Sequence, residues 1–155
     1  MKEYLEKRRE ELRKRGESGF TLMEMLIVVA IIAVLIAIAI PVFTTQLENS
    51  REATDAANLR SAYAEVTAAG LTGAADPAND VIMEPTSGGT VGSRTFKKTV
   101  GAQQAQSGWQ NESLLNSKIG DIEITNTAGS GVNAKVGNGT WSVVYKESDS
   151  KVTIS

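Results

Sequence analysis

Hydrophobic and polar positions divide this chain into three regimes. Residues 2–15 are charged at almost every step, residues 20–43 are apolar with Glu24 as the single charge, and the remainder alternates over short stretches. Within the apolar run, residues 25–40 contain no charge, proline, glycine or amide. At about 1.5 Å per residue, 24 helical residues span roughly 36 Å, enough to cross a hydrocarbon core of about 30 Å. A helix apolar on every side has only lipid or other apolar helices to face. The pattern therefore predicts a transmembrane helix over 20–43.

After Pro41 the pattern becomes an alanine-rich amphipathic helix. Phe43, Leu47, Leu59, Tyr63 and Val66 are its apolar points, with Glu48, Arg51, Glu52, Asp55, Arg60 and Glu65 between them. Glu48–Arg51 and Arg51–Asp55 have helical pair spacing and are expected on an exposed face, each contributing only a few tenths of a kcal/mol. Gly70 and Gly73 are expected to end the helix. Pro41 has no N–H to donate to the carbonyl of Ala37 and its ring clashes there, so a kink or local unwinding is expected over 37–41.

From Gly70 onward come twelve of the fourteen glycines, and the period shortens to that of strands. Residues 70–92 read as a long irregular connection. Strands are expected over 94–100, 119–125, 132–136, 140–146 and 151–154, with turns at 137–139 and 147–150. Trp141, Val143 and Tyr145 give one strand an apolar face that should pack on Leu59, Tyr63 and Val66. The fold class expected is α+β: a long N-terminal helix whose second half packs on an antiparallel sheet. Because the 86 residues of 70–155 can bury only a modest core, residues 44–69 are expected to belong to the same head domain.

Composition narrows the chemistry. The chain has neither cysteine nor histidine, which excludes disulfides, thiolate and imidazole catalysis and the usual zinc sites. No phosphate-binding loop or comparable motif occurs, so no enzyme activity, cofactor or metal is expected. Residues 1–19 hold seven Lys or Arg against five Glu, net +2, which leaves net −4 for residues 20–155. The positive-inside bias keeps this N-terminal segment in the cytoplasm and exports everything after Phe43. Without a strongly basic domain, direct binding of nucleic acid is not expected.

Three fates of the apolar segment remain open on these grounds. Ala37-Ile38-Ala39 has the small-x-small form cut by general signal peptidase, and an uncut signal anchor needs only the span itself. The third fate rests on Gly19-Phe20-Thr21-Leu22-Met23-Glu24, preceded by a charged leader and followed by the apolar run and Pro41. Over residues 16 to about 69 this arrangement resembles the class III signal of type IV prepilins and pseudopilins. The resemblance implies a leader of residues 1–19, cleavage by a prepilin peptidase between Gly19 and Phe20, and N-methylation of Phe20. It also implies storage in the cytoplasmic membrane, single-pass with the N-terminus inside. Assembly machinery would then polymerise copies of the chain through residues 20–43 into a surface filament. In filaments of the family, the helix near the position of Pro41 can melt. Many members have glycine where this chain has Ala33, and many close the sheet with a disulfide that this chain lacks.

A carboxylate in a membrane helix is costly and asks for a partner. Cleavage would create one, because the new amine of Phe20 lies one turn from Glu24. Between subunits the same pair would set register, since a misaligned helix would bury two unpaired charges. The function expected is thus a structural pilus subunit serving adhesion, motility or DNA uptake. The alternatives are a pseudopilin of type II secretion or of a competence pseudopilus, and a signal-anchored binding protein that never polymerises. Of the weaker signals, Trp109 is expected to anchor a loop in the core. Arg94, Lys97 and Lys98 are expected on a solvated face. Asp76, Asn79 and Asp80 lack calcium-loop spacing, and Asn111 and Asn138 match glycosylation sequons by pattern only.

Overall fold

The computed structural model describes residues 2–14, 21–84, 92–127 and 130–155. It divides into two compact units, Met1–Val42 and Phe43–Ser155. Within the first lie helix α1, Lys2–Lys14, and the beginning of helix α2, Leu22–Thr72. α2 passes through Pro41 without interruption, so the unwinding expected over 37–41 is absent here. Its apolar side chains from Leu22 to Phe43 are exposed, as suits a segment whose surroundings are lipid or other helices.

The second unit packs the rest of α2 on a four-stranded antiparallel sheet in the order β1-β2-β5-β6, which makes the fold α+β and pilin-like in layout. The strands are β1 Ile82–Glu84, β2 Thr95–Gly101, β5 Thr140–Lys146 and β6 Lys151–Ile154, with β3 Lys118–Ile119 and β4 Ile122–Glu123 forming a separate hairpin. On β5 the alternation puts Trp141, Val143 and Tyr145 inward, where they join Leu59, Ala62 and Val66 of α2 and Phe96 and Val100 of β2 in one core. β5 and β6 occupy the expected residues, and the turn at 147–150 joins them.

Three expectations fail for identifiable reasons. Residues 119–125 are not one strand, because Gly120 takes φ +63° and reverses the chain between β3 and β4. A Cβ there would stand 2.1 Å from the Tyr63 ring, so glycine is required on both counts. Residues 132–136 form no strand beyond a single parallel bridge between Ile124 and Val132. Two of their carbonyls accept indoles, Trp109 Nε1 donating to Val132 O at 3.0 Å beside the bridge amide of Thr125 and Trp141 Nε1 to Asn133 O at 2.8 Å, and Val136 O accepts the Gly139 amide in the following turn. Gly70 does not stop the helix. It lies within α2, buried against Tyr145, and the end comes at Gly73, whose φ of +68° and N–H to Ala69 O form the cap. Residues 70–92, expected to be irregular, also hold the end of α2, a short 3-10 turn at Pro77–Asn79 and β1.

The cap of α2 is clamped to the sheet. Arg94 donates from Nη1 to Gly73 O at 2.9 Å, a cation at the negative end of the helix dipole, and from Nη2 to Glu147 Oε1 at 2.6 Å. Glu147 also accepts the backbone amides of Gly92 and Arg94. These bonds, with the guanidinium foremost, hold the Glu147 carboxyl down at about 2. Its folded value lies below the ordinary value of about 4.3, so the clamp's contribution is present above that value and is lost as pH falls toward about 2. We expect Glu147→Gln to lower the urea midpoint at pH 7 and to flatten its decline between about pH 4.5 and 2. Tryptophan fluorescence of the full chain in micelles reads both, since Trp109 and Trp141 are in the head.

Candidate functional site

Two sets of acidic residues on α2 hold its chemistry. The first is Glu24, in the first turn of the helix. Its Oε2 accepts the backbone N–H of Thr21 at 2.8 Å and the Thr21 hydroxyl at 2.9 Å, while Thr21 Oγ1 lies 3.2 Å from the Glu24 N–H. This is a reciprocal capping box, in which the residue before the helix and the third residue within it satisfy each other's free amides. The cap occupies the one charged side chain of residues 20–43 and lessens the cost of placing it near the membrane. Gly19 and Phe20, the expected cleavage and methylation positions, lie outside the described residues.

The second set is Glu48, Glu52 and Asp55, expected on a solvated face and found instead among the most buried residues of the protein. They continue the inner stripe of α2, which runs through 48, 52, 55, 59, 62, 66 and 69 in steps of four and three. The upper part of that stripe packs on the sheet. The acidic part faces residues 103–111, a segment without sheet pairing of its own and without a titratable side chain.

Each carboxylate takes two successive backbone amides of that segment. Asp55 accepts Gln103 N at 2.9 Å and Gln104 N at 3.1 Å; Glu48 accepts Ala105 N at 2.7 Å and Gln106 N at 2.8 Å; Glu52 accepts Gln110 N at 2.6 Å and Asn111 N at 2.7 Å. Six amides that no strand satisfies are thereby paired with carboxyl oxygens. Burial pushes the Asp55 carboxyl above its ordinary value, against the amides of Gln103 and Gln104, and the charge on Glu48 adds to the rise. The expected exposed pairs are accordingly corrected: Arg51 does meet Glu48 at 3.2 Å, but Glu48 is buried, and Asp55 turns to the loop.

Trp109 sits at the centre of the anchored segment, 2% exposed and stacked on Trp141 with ring centroids 6.2 Å apart. Its backbone N–H donates to Asn126 Oδ1, and Asn126 Nδ2 returns a bond to Trp109 O. This is the loop anchor expected of it. Of the three cations near β2, Arg94 is bound to Glu147, and Lys98 lies on the helix side between Phe96 and Val100, paired with Glu65. Asn79 Nδ2 donates to Asp76 Oδ2, closing the turn that bears Asp80. Asn111 Oδ1 accepts the amide and hydroxyl of Ser113, whereas Asn138 is exposed at a turn.

No curated protein and no solved structure matches the chain. Residues 14–40, which contain the Gly19-Phe20 junction and Glu24, match the family model of the prokaryotic N-terminal methylation motif. The chain thus carries the class III prepilin signal typical of type IV pilins and pseudopilins, which implies processing by a prepilin peptidase, and the exposed apolar helix beside it supports a membrane-anchored precursor.

Proposed function

We propose that the chain is a structural subunit of a type IV pilus with no enzymatic role. It is cut between Gly19 and Phe20, methylated on Phe20, held in the cytoplasmic membrane, and then polymerised with other copies of itself into a surface filament. The observation that carries this reading is the methylation motif matched at 14–40, which runs into a helix that from Leu22 to Phe43 carries no charge but Glu24. Once leader removal frees the Phe20 amine, Glu24 has two competitors for its carboxylate: its own Thr21 cap and the amine of a neighbouring subunit. Bundling of the helices would bury both charges, which favours the register that pairs them. Pro41 marks where the helix can give way as subunits pack, since it removes one rung of the hydrogen-bond ladder.

The test is the N-terminal residue and intact mass of the protein recovered from membranes and from sheared surface material. N-methylated Phe20 is expected in the sheared fraction. Recovery only as the uncut chain in membranes, or with Ile40 as first residue, would overturn the proposal.

A further inference from the structure

Helix α1, Lys2–Lys14, lies almost wholly before the matched segment, and the methylation motif gives it no task. It is a 13-residue helix with six Lys or Arg and four Glu, and these are not scattered evenly around it. At about 100° per residue, Tyr4, Leu5 and Arg8 share one side, with Lys2 and Arg9 at its border. Glu3, Glu6 and Glu10 fall on the opposite side, while Glu11 borders Tyr4. Tyr4 and Leu5 are 70% and 59% exposed, so α1 leaves its apolar side chains without a protein partner among the described residues.

We infer that α1 lies in the plane of the cytoplasmic leaflet, with Tyr4 and Leu5 in the interface and Arg8, Arg9 and Lys2 against anionic lipid headgroups. The inference rests on the membrane-anchored precursor and not on filament formation. Three observations lead to this occupant. An amphipathic helix of low net hydrophobicity, with cations flanking its apolar side, has the composition of a surface-seeking segment. Its net positive charge complements an anionic leaflet, and three of its four Glu face away, with Glu11 at the edge beside Tyr4. Only seven residues separate α1 from the start of α2, so the leader is tethered within reach of the surface and needs little intrinsic affinity to stay there.

The chain has no cysteine, so single nitroxide labels can be placed cleanly at Tyr4→Cys and Glu6→Cys in the full-length protein. The labelled proteins are reconstituted in vesicles of phosphatidylcholine, with or without phosphatidylglycerol. In anionic vesicles the label at position 4 should be shielded several-fold from a water-soluble paramagnetic reagent relative to the label at position 6. Molar salt, or the double change Arg8→Glu and Arg9→Glu, should remove most of the difference in shielding between the two labels. Equal accessibility of the two labels, or the same shielding with phosphatidylcholine alone, would overturn the inference. Failure of the protein to float with either vesicle would overturn the membrane anchor itself, and the inference with it. Loss of filaments with the shielding intact would count against the pilus reading alone.

Discussion

Glu52→Ala is expected to destabilise the head by about 3–5 kcal/mol, a large part of the 5–15 kcal/mol that a small domain has. The Glu52 carboxylate is fully buried, and it is the acceptor for the amides of Gln110 and Asn111. Truncation strands both N–H groups away from water, at about 1–3 kcal/mol each, and leaves a cavity where the side chain stood. Since a loss of 1 kcal/mol lowers the melting temperature of a domain near this size by about 4 °C, the change should be of order 10–20 °C. Trp109 immediately precedes Gln110 and reports the release of the loop by fluorescence. Glu65→Ala is the control, because that carboxylate is part-exposed in its pairing with Lys98 and its loss should cost less than about 1 kcal/mol. Similar melting temperatures for the two variants would mean that residues 103–111 are held by Trp109 and the core rather than by the carboxylates.

The same three carboxylates show where sequence pattern stops being legible. Acidic residues at 48, 52 and 55 look like one face of a solvated helix, because a charge is ordinarily outside. Their burial follows from what lies opposite: a loop with six amides and no ladder to give them to. One signal was available in the spacing, since 48, 52 and 55 continue the four-three rhythm of Leu59, Ala62, Val66 and Ala69 without a break. β5 was readable because Trp141, Val143 and Tyr145 alternate cleanly, and β6 because its turn carries the signals for reversal. Residues 132–136 resemble a strand equally well, but indole donors from Trp109 and Trp141 engage the carbonyls of Val132 and Asn133, and that competition is tertiary. Of the candidate site, the Gly19-Phe20 junction was legible only as a motif. The Thr21-x-x-Glu24 capping box is a local pattern, complete within four residues.

That capping box makes Glu24 testable in a way that separates helix initiation from assembly. Glu24→Ala removes the cap and the charge together, whereas Glu24→Gln removes the charge but leaves an amide oxygen able to accept the Thr21 N–H. If the side chain serves only to start α2, the glutamine variant should form filaments nearly as the parent does, because a cap contributes about 1 kcal/mol and most of it would be retained. If it pairs with the amine of a neighbouring subunit, both variants should fail alike. Each would leave an unpaired cation among apolar helices, at about 3–5 kcal/mol, a factor of roughly 10²–10³ or more in subunit association. We expect the second result: sheared filaments should fall below a hundredth of the parent amount for both variants, with the protein present in the membrane. Removing a charge makes membrane insertion easier, so absence from the membrane would not explain the loss. Filaments at near-parental level from Glu24→Gln would restrict Glu24 to its capping role and leave register to apolar packing alone.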